Sequence, residues 1–330
     1  MTEPSPLLSI VVTSYTTERL EDIFELLDSV RGQSYRELEV VFVAERSEEL
    51  RERVASYIEQ RSMDNAKVVF NHGPGGLSAS RNVGVREASG DIIAFADDDV
   101  VLFPDWAEEM VKTYARGDST IGVTGPGLPR WKDQSQSWLP EELYWIISCT
   151  AFTGWNGLRE VRSAWGMNMS FRREAFDYCS FSENFGQTKG GQAAWKAGPV
   201  DDAEFSINLR LRTGKAIVYN PKVRVWHQVY PYRLGFTFVR GQAYWQGYTK
   251  ALLRRIYRED EDTRSLVREY DLLRRVLLRL LPRTLGELFH SPVVAGKKLA
   301  ITVNALVHVA LGYAAASRPG LAGFTRRYFS

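Results

Sequence analysis

The chain has 330 residues, of which 44% are hydrophobic and 25% charged, as in ordinary globular proteins with room for one large domain plus an extension, or for two domains. Its two cysteines exclude a disulfide framework and a cysteine-rich metal site, and the first residues do not predict a signal peptide. The net charge of +2 hides an asymmetry, because residues 1–249 carry 27 Lys+Arg against 33 Asp+Glu, whereas residues 250–330 carry 15 against 7. The basic last third predicts an anionic partner, nucleic acid or a membrane surface, and the acidic first part argues against nucleic acid as the main substrate.

Over roughly the first 125 residues, short continuous apolar runs alternate with segments whose apolar residues recur at helical spacing. Strands are predicted at 7–13, 38–44, 66–70 and 91–96, and helices at 20–30, 48–60, 78–88 and 104–114. This alternation predicts parallel βαβ units, whose ligands bind beyond the carboxyl ends of the strands. The residues that follow the strands, at 13–15, 45, 73–76 and 97–99, are therefore candidates for a site.

The rest of the chain is predicted to be irregular at first and then mainly helical. Residues 125–200 are rich in Trp, Gly and Ser and have the weak periodicity of long loops over a site. A helix at 201–212 and strands at 216–220 and 223–227 follow, and from residue 236 onward the pattern is helical.

Two C-terminal segments are candidates for contact with a membrane. Leucines and arginines interleave at 272–283 as in a basic amphipathic helix, which either lies on a membrane surface or packs on the rest of the chain. Residues 299–316 form an apolar stretch, interrupted by Asn304 and His308, at the lower length limit for a spanning helix. The sequence is compatible with a spanning, a re-entrant, an interfacial or a buried helix for this stretch.

Three adjacent carboxylates, Asp97, Asp98 and Asp99, directly follow the predicted strand at 91–96. Neighbouring carboxylates repel one another, so such a cluster usually persists where a cation neutralises it. Oxygen ligands suit Mg²⁺ or Mn²⁺, either of which would bridge a diphosphate. The alternative is a solvated acidic turn before the helix at 104–114.

Two further segments carry candidate residues. Glycines precede a helix in GPGGLSASRNVG at 73–84, which favours a site for a phosphate or a nucleoside, or is a plain glycine turn with a surface arginine. Asp201, Asp202 and Glu204 open the helix at 201–212, where the helix dipole favours carboxylates even without a role in chemistry.

Four stretches resemble, in order, the motifs of family 2 glycosyltransferases with the GT-A fold: SIVVTSY, GGLSASRNVGVREASGDIIAFADDDVVLFPDW, WGMNMSFRREAF and DDAEFSINLRLRTGKAIVYNP. The resemblance implies an α/β fold, the Rossmann-like GT-A fold of nucleotide-diphospho-sugar transferases, with a C-terminal helical extension. It further implies a catalytic domain at 1–230, and the charge and helical pattern after that domain predict a helical, basic, membrane-associating region at 231–330.

The same resemblance implies roles for individual residues. Asp202 matches the family's general base, and Asp99 matches a ligand of Mn²⁺ or Mg²⁺. His227 resembles a histidine that can complete that metal site, or it has a structural role. The remaining matched positions are those that bind the nucleotide-sugar donor: Thr13, Tyr15, Glu45, Arg81, Asp97, Asp98, Gly166, Met167 and Asn168. The chain departs from the family pattern at Glu45-Arg46-Ser47, at Pro74 and at Asp201.

LPEELYWIISCTAFTG and VYNPKVRVWHQVYPYR are also similar to archaeal glucosyl-dolichyl phosphate glucuronosyltransferases. That similarity implies an inverting transferase that moves one sugar from a UDP-sugar, or from a GDP-sugar, to a lipid-linked sugar. The setting would be glycan or protein N-glycosylation assembly at the cytoplasmic face of the cell membrane. A soluble or polysaccharide acceptor, a metal-dependent nucleotidyltransferase and a non-catalytic nucleotide-sugar-binding protein remain alternatives.

Overall fold

The computed structural model describes residues 5–183, 201–257 and 267–317. The chain divides into two compact units, the first comprising Met1–Gly127 and Asn156–His227 and the second comprising Leu128–Trp155 and Gln228–Ser330. Residues 128–155 therefore cluster with the C-terminal residues, although they precede the boundary predicted at residue 230. That boundary stays a prediction.

An eight-stranded sheet forms the centre of the first unit, with the order β3-β2-β1-β4-β9-β6-β10-β8. The chain has the following strands: β1 Leu8–Ser14, β2 Leu38–Glu45, β3 Ala66–Asn71, β4 Ile92–Asp97, β5 Val100–Leu102, β6 Thr120–Thr124, β7 Gly127–Trp131, β8 Arg159–Val161, β9 Asn168–Arg172, β10 Ala216–Tyr219 and β11 Val225–Val229. Strands β1 to β4 are parallel neighbours, as the alternating pattern predicted. All seven residues of β1 are buried, which explains its continuous apolar run.

The helices of the first unit, apart from one short helix at 175–178, lie at the predicted places. They are α1 Leu20–Arg31, α2 Glu48–Gln60, α3 Leu77–Glu87, α4 Trp106–Tyr114, the short α5 Ala175–Tyr178 and α6 Asp201–Thr213. Helix α2 begins after Ser47, whose hydroxyl accepts a hydrogen bond from the backbone N–H of Leu50 at 3.1 Å. Helix α3 packs closely on β1 because Gly84 has no Cβ, which would lie 2.2 Å from the side chain of Val11.

The middle of the chain differs from the prediction of long loops. Strand β9, only five residues long, lies in the centre of the sheet and is antiparallel to both β4 and β6. At the sheet edge β8 is antiparallel to β10, so the sheet is mixed rather than purely parallel. The prediction is wrong for β9 because its run of five residues, in which Met169 and Phe171 are buried, carries too little periodicity to be recognised. Residues 184–200 of the same predicted loop region lie outside the described residues.

The second unit is mainly helical. Its helices are α7 Phe236–Ile256, α8 Val267–Arg275, α9 Leu281–Glu287 and α10 Pro292–Ser317, with a π-helical turn at Val276–Leu280 between α8 and α9. Helices α7 and α10 approach each other closely at two glycines. A Cβ at Gly247 would lie 2.0 Å from the carbonyl oxygen of Val309, and one at Gly312 would lie 1.9 Å from that of Tyr244. Both apolar segments that the sequence singled out are therefore helical.

Candidate active site

The carboxyl ends of β1 and β4 bring Ser14 next to the three aspartates. Thr13 is the parallel partner of Asp97, and the hydroxyl of Ser14 donates a hydrogen bond to Oδ2 of Asp98 at 2.5 Å. Asp98 and Asp99, in the turn before β5, are each 3% exposed, whereas the side chain of Asp97 is 33% exposed. Two of the three carboxylates are thus buried, and a solvated acidic turn does not describe them.

Asp99 lies between a histidine and an arginine. Nε2 of His227 is 3.4 Å from Oδ1 of Asp99, and His227 is buried where β11 pairs with β5 opposite Val100. On the other side Nη1 of Arg19 contacts Oδ2 of Asp99 and lies 3.5 Å from Oδ1 of Asp98. The buried carboxylates are therefore faced by one guanidinium and one imidazole.

Asp99 and His227 could supply one oxygen and one nitrogen to a divalent cation. Within residues 5–183, 201–257 and 267–317, no three His, Cys, Asp or Glu side chains are grouped so that they could hold a metal. Two protein ligands nevertheless fit a cation that also binds substrate phosphates, which is how Mg²⁺ commonly binds. The imidazole nitrogen suits a transition metal such as Mn²⁺ better than Mg²⁺, which prefers oxygen.

Arg81 of α3 connects the end of β4 with the start of α6. Its Nη1 donates to Oδ2 of Asp201 at 2.8 Å, and its Nη2 donates to Oδ1 of Asp97 at 3.3 Å. The guanidinium lies 5.6 Å from the ring centroid of Phe181, and the side chain is 3% exposed. Arg81 thus pairs two carboxylates from distant parts of the chain.

Gly166 contacts both Asp202 and Arg81 and so holds the carboxylate of Asp202 near that arginine. Oδ2 of Asp202 accepts the backbone N–H of Gly166 at 2.9 Å, while the carbonyl of Gly166 accepts Nη2 of Arg81 at 3.2 Å. Oδ1 of Asp202 accepts the backbone N–H of Ala203 at 2.7 Å. Burial, and next the charge of Asp201, raise the pKa of Asp202 to about 6. A carboxylate with this pKa can accept a proton near neutral pH.

Glu45, predicted to contact the donor, holds the glycine-rich segment in place. Its Oε1 accepts the backbone N–H of Gly76 at 2.9 Å, and its Oε2 accepts the hydroxyl of Ser80 at 2.9 Å. Nε of Arg46 lies 3.0 Å from Oε1, and a Cβ at Gly75 would overlap the guanidinium of Arg46 at 2.2 Å. The carboxylate of Glu45 therefore already has three partners at the carboxyl end of β2.

The other predicted donor residues differ in their placement. Thr13 and Tyr15 lie at the end of β1, where the sequence predicted them. Asn168 is fully buried: its Oδ1 accepts Nε1 of Trp106 at 2.9 Å, and its Nδ2 donates to the carbonyl of Val223 at 2.8 Å. We therefore give Asn168, the first residue of β9 rather than a loop residue, a structural role. Met167, with 5% exposure, belongs to the apolar core.

Sequence reasoning missed Arg19 and gave no role to Ser14, which lies within the candidate range 13–15. Ser14, the last residue of β1, bonds Asp98, and Arg19 contacts both Asp98 and Asp99. Asp201 was predicted as a candidate carboxylate at the start of a helix and as a departure from the family pattern, and the structure makes it the partner of Arg81 at the shorter distance. The position of Ser14 at a strand end was a usable signal, whereas nothing in the sequence around Arg19 indicated where its side chain would reach.

Comparisons with known proteins identify the family and the fold of the chain. The sequence profile of Glycosyl transferase family 2 matches residues 9–179. The chain is 32% identical over 259 residues to the glucosyl-dolichyl phosphate glucuronosyltransferase of Haloferax volcanii, covering 78% of this chain and 80% of that protein. It is also 31% identical over 130 residues to the glycosyltransferase AglE of the same organism, which covers 39% of this chain and 40% of that protein.

Two solved structures share the fold. The mannosyltransferase PcManGT from Pyrobaculum calidifontis, in complex with GDP-Man and Mn²⁺, has a TM-score of 0.60 at 17% identity and covers 94% of this chain and 88% of that one. GalNAc-T7 with UDP, GalNAc and Mn²⁺ has a TM-score of 0.51 at 15% identity and covers 82% of this chain and 56% of that one. At such identities the likeness concerns the fold alone.

The chain has an α/β fold with a mixed parallel and antiparallel sheet, and carboxylates lie at the ends of its strands. Together with these likenesses, the fold defines a glycosyltransferase of the GT-A fold. The chain belongs to glycosyltransferase family 2. The predicted family and fold class are thereby confirmed.

Proposed function

We propose that the chain transfers one sugar from a nucleoside diphosphate sugar to a hydroxyl of a lipid-linked sugar, with inversion at the anomeric carbon. The observation that carries the proposal is the link through Arg81 and Gly166, which keeps Asp202 beside the aspartates that follow β4. The name of the relative from Haloferax volcanii, a glucosyl-dolichyl phosphate glucuronosyltransferase, supports a lipid-linked acceptor in glycan or protein N-glycosylation assembly. UDP-sugars are the favoured donors, with GDP-sugars as the second choice.

The donor is proposed to lie at the carboxyl ends of β1 and β4, in reach of Thr13, Tyr15 and Asp97. Ligands of open α/β sheets bind at this edge. Asp99 and His227, whose side chains are 3.4 Å apart, would hold Mn²⁺ or Mg²⁺. Such a cation, when bound, neutralises the charge that develops on the departing nucleoside diphosphate.

Asp202 is proposed to accept the proton of the acceptor hydroxyl as that hydroxyl attacks the anomeric carbon. The N–H groups of Gly166 and Ala203 fix the orientation of its carboxylate, and each oxygen keeps a further lone pair for the proton. With its pKa raised to about 6, the group is ionised at pH 7 and still a stronger base than an ordinary aspartate. A single displacement by the acceptor needs no nucleophile from the protein.

Helix α10 supports a location at the membrane. Among the described residues it is the one helix long and apolar enough to cross a bilayer, and a third of its most apolar window is buried within the protein. Its solvent-exposed side chains between residues 299 and 316 are all apolar: Ala300, Val303, Val307, Ala310, Leu311 and Ala314. A water-facing helix normally exposes charged and polar groups, so this face suits hydrocarbon.

The helices before α10 expose a second apolar surface with arginines among its members. Large apolar side chains are exposed at six positions: Leu273, Leu277, Leu278, Leu285, Leu288 and Phe289. Phe289 is 87% exposed and Leu278 is 64% exposed. Arg274, Arg279 and Arg283 are exposed between them, as expected of a helix lying on anionic lipid headgroups. We name these nine residues the leucine–arginine surface and propose that it binds the cytoplasmic face, where nucleotide sugars are made.

A donor screen tests the proposed reaction. The purified chain, Mn²⁺ and a polyprenyl-phosphate-linked glucose would be incubated in turn with UDP- and GDP-sugars, while release of nucleoside diphosphate and extension of the lipid-linked sugar are followed. The proposal expects both products from one donor, in equal amounts. Release of pyrophosphate would instead identify a nucleotidyltransferase, and donor binding without any product would identify a non-catalytic binding protein.

A further inference from the structure

Arg19 contacts the proposed metal ligand Asp99, but the proposed reaction gives this arginine no role. It ends the 3₁₀ turn Thr17–Arg19 that follows β1 and precedes α1, at the edge of the sheet where ligands of this fold class bind. Its guanidinium contacts Oδ2 of Asp99 and is 3.5 Å from Oδ1 of Asp98. The side chain is 23% exposed, while the two carboxylates it pairs with are 3% and 4% exposed.

Charge balance explains why an arginine is found there. Two adjacent carboxylates that are almost fully buried repel each other and lose their hydration, so they need a positive charge close by. Arg19 supplies that charge from a turn at the protein surface, on a long side chain that can reach other positions without moving the sheet. Asp98 has a second partner in Ser14, and Oδ1 of Asp99 lies 3.4 Å from Nε2 of His227, so Oδ2 of Asp99 is the oxygen that the guanidinium contacts.

A divalent cation on Asp99 would compete with this contact. Like charges a few ångströms apart repel strongly where water is largely excluded, so a guanidinium and a divalent ion on one buried carboxylate oppose each other. A nucleoside diphosphate changes the balance because its phosphate oxygens accept hydrogen bonds from a guanidinium, which binds phosphate well in a bidentate manner.

We infer that Arg19 is the resident counter-ion of Asp98 and Asp99 in the nucleotide-free protein, and that it leaves Asp99 for the diphosphate when a divalent cation and the nucleotide bind. The inference rests on the proposed function, because it takes the ligand to be a nucleoside diphosphate. It makes Arg19 a donor-binding residue that couples the metal to the nucleotide. Each ligand then increases the affinity for the other by the same factor, since coupling between two binding sites is reciprocal.

Binding of Mn²⁺, measured by the electron paramagnetic resonance signal of the free ion, tests the coupling without any turnover. The titration is done alone, with UDP and with GDP, on the wild type, on Arg19→Gln and on the control Arg31→Gln. Arg31 lies at the far end of α1 and pairs with Asp28 at 3.7 Å, so its loss removes one charge without touching Asp98 or Asp99. Arg19→Gln should bind Mn²⁺ alone about tenfold more tightly, and the gain from nucleotide should fall by about tenfold, within the usual range of coupling. Arg31→Gln should behave as the wild type.

The alternative is that Arg19 only lowers the local affinity for cations through its charge. Arg19→Gln would then bind Mn²⁺ more tightly by the same factor with and without nucleotide, and this result would overturn the inference. If Arg19→Gln does not fold, judged by its thermal unfolding, the neutral variant Arg19→Met takes its place, and an unchanged gain from nucleotide in that variant also overturns the inference. Failure of the wild type to bind UDP or GDP with Mn²⁺ would instead defeat the proposed function, and the inference with it.

Discussion

The backbone N–H of Gly166 donates a hydrogen bond to Oδ2 of Asp202 at 2.9 Å, so a glycine holds the carboxylate that we propose as general base. The carbonyl of the same residue accepts Nη2 of Arg81 at 3.2 Å. A Cβ at this position would lie 2.9 Å from that nitrogen and 3.4 Å from Oδ2 of Asp202. A side chain at residue 166 would therefore displace the arginine, the aspartate or both.

Gly166→Ala is expected to slow transfer, and displacement of Arg81, a predicted donor-binding residue, would also raise the donor Kd. Misplacement of a catalytic group by about 1 Å can cost on the order of 10²-fold in rate, so kcat should fall by between ten- and a hundredfold. Gly157→Ala is the matched control, because a Cβ at Gly157 meets no atom within 4 Å. Initial transfer rates and donor Kd for both variants check this, and equal rates in the two variants would mean that Gly166 does not position the base.

Asp202→Asn should bind the donor normally and lose transfer. The amide keeps the size of the carboxylate but cannot accept a proton, and general-base catalysis typically contributes about 10²–10⁴-fold. Donor binding measured by calorimetry and sugar transfer measured on the lipid-linked acceptor would separate the two effects. A loss in rate of less than tenfold would place the base elsewhere, with Asp201 and Glu204 as the next carboxylates to test.

The rate of transfer should rise with pH through about 6, because the ionised form of Asp202 is the active one and burial raises its pKa from 3.8 to about 6. The effect of Asp202 on stability has the opposite sign. A raised carboxyl pKa stabilises the fold fully below pH 3.8, and this contribution is lost as pH rises through about 6. Profiles of kcat/KM between pH 5 and 8 check the first effect. Thermal unfolding of Asp202→Asn, which should lack the second effect, provides the comparison.

The long strands and helices of the first unit were predictable because the strands carry apolar runs and the helices are amphipathic. Helix α2 was predicted at 48–60, where the structure has it, since Ser47 gives a clear start. Strand β9 was missed because five residues between long irregular segments are too few to show the alternation of apolar and polar residues that marks a strand. Local pattern thus identified the long elements but not the short strands β5 to β9.

The candidate site was predictable at the strand ends and not beyond them. Asp97, Asp98 and Asp99 follow a buried strand, and this position alone marks them as candidates. The pairing of Arg81 with Asp201 depends on how residues 120 apart meet in the fold, which periodicity does not encode. The resemblance implied a donor-binding role for Asn168, and periodicity likewise did not indicate that its amide would bond Trp106 and Val223 inside the fold.

Asp99→Asn is expected to fold and to lose binding of the donor in the presence of Mn²⁺. The neutral amide would keep the packing around His227 but would bind a divalent cation weakly. Asp118→Asn is the control, because Asp118 is fully exposed on the surface of the same unit. Calorimetric titration of donor with and without Mn²⁺ should show at least a tenfold loss for Asp99→Asn alone. Normal affinity in that variant would remove Asp99 from the proposed metal site.

The leucine–arginine surface of the second unit is expected to bind anionic membranes. Leu278 and Phe289 are its most exposed members, and burying a side chain of this size gains roughly 1.5–3 kcal/mol. Each arginine near an anionic surface adds about 1 kcal/mol, so binding should weaken as salt is raised. The full chain should therefore sediment with phosphatidylserine vesicles at low salt, and less so at high salt.

The double variant Leu278→Glu with Phe289→Glu tests whether this surface makes the contact. Glutamate removes the apolar side chain and adds a charge that anionic headgroups repel, so vesicle binding should fall by at least tenfold while donor binding is kept. Leu211→Glu is the matched control, because Leu211 is 52% exposed but belongs to the first unit. Transfer to a lipid-linked acceptor in vesicles should fall with the double variant only. If the double variant still sediments like the wild type, the surface does not bind the membrane, and the apolar face of α10 would be the next to substitute.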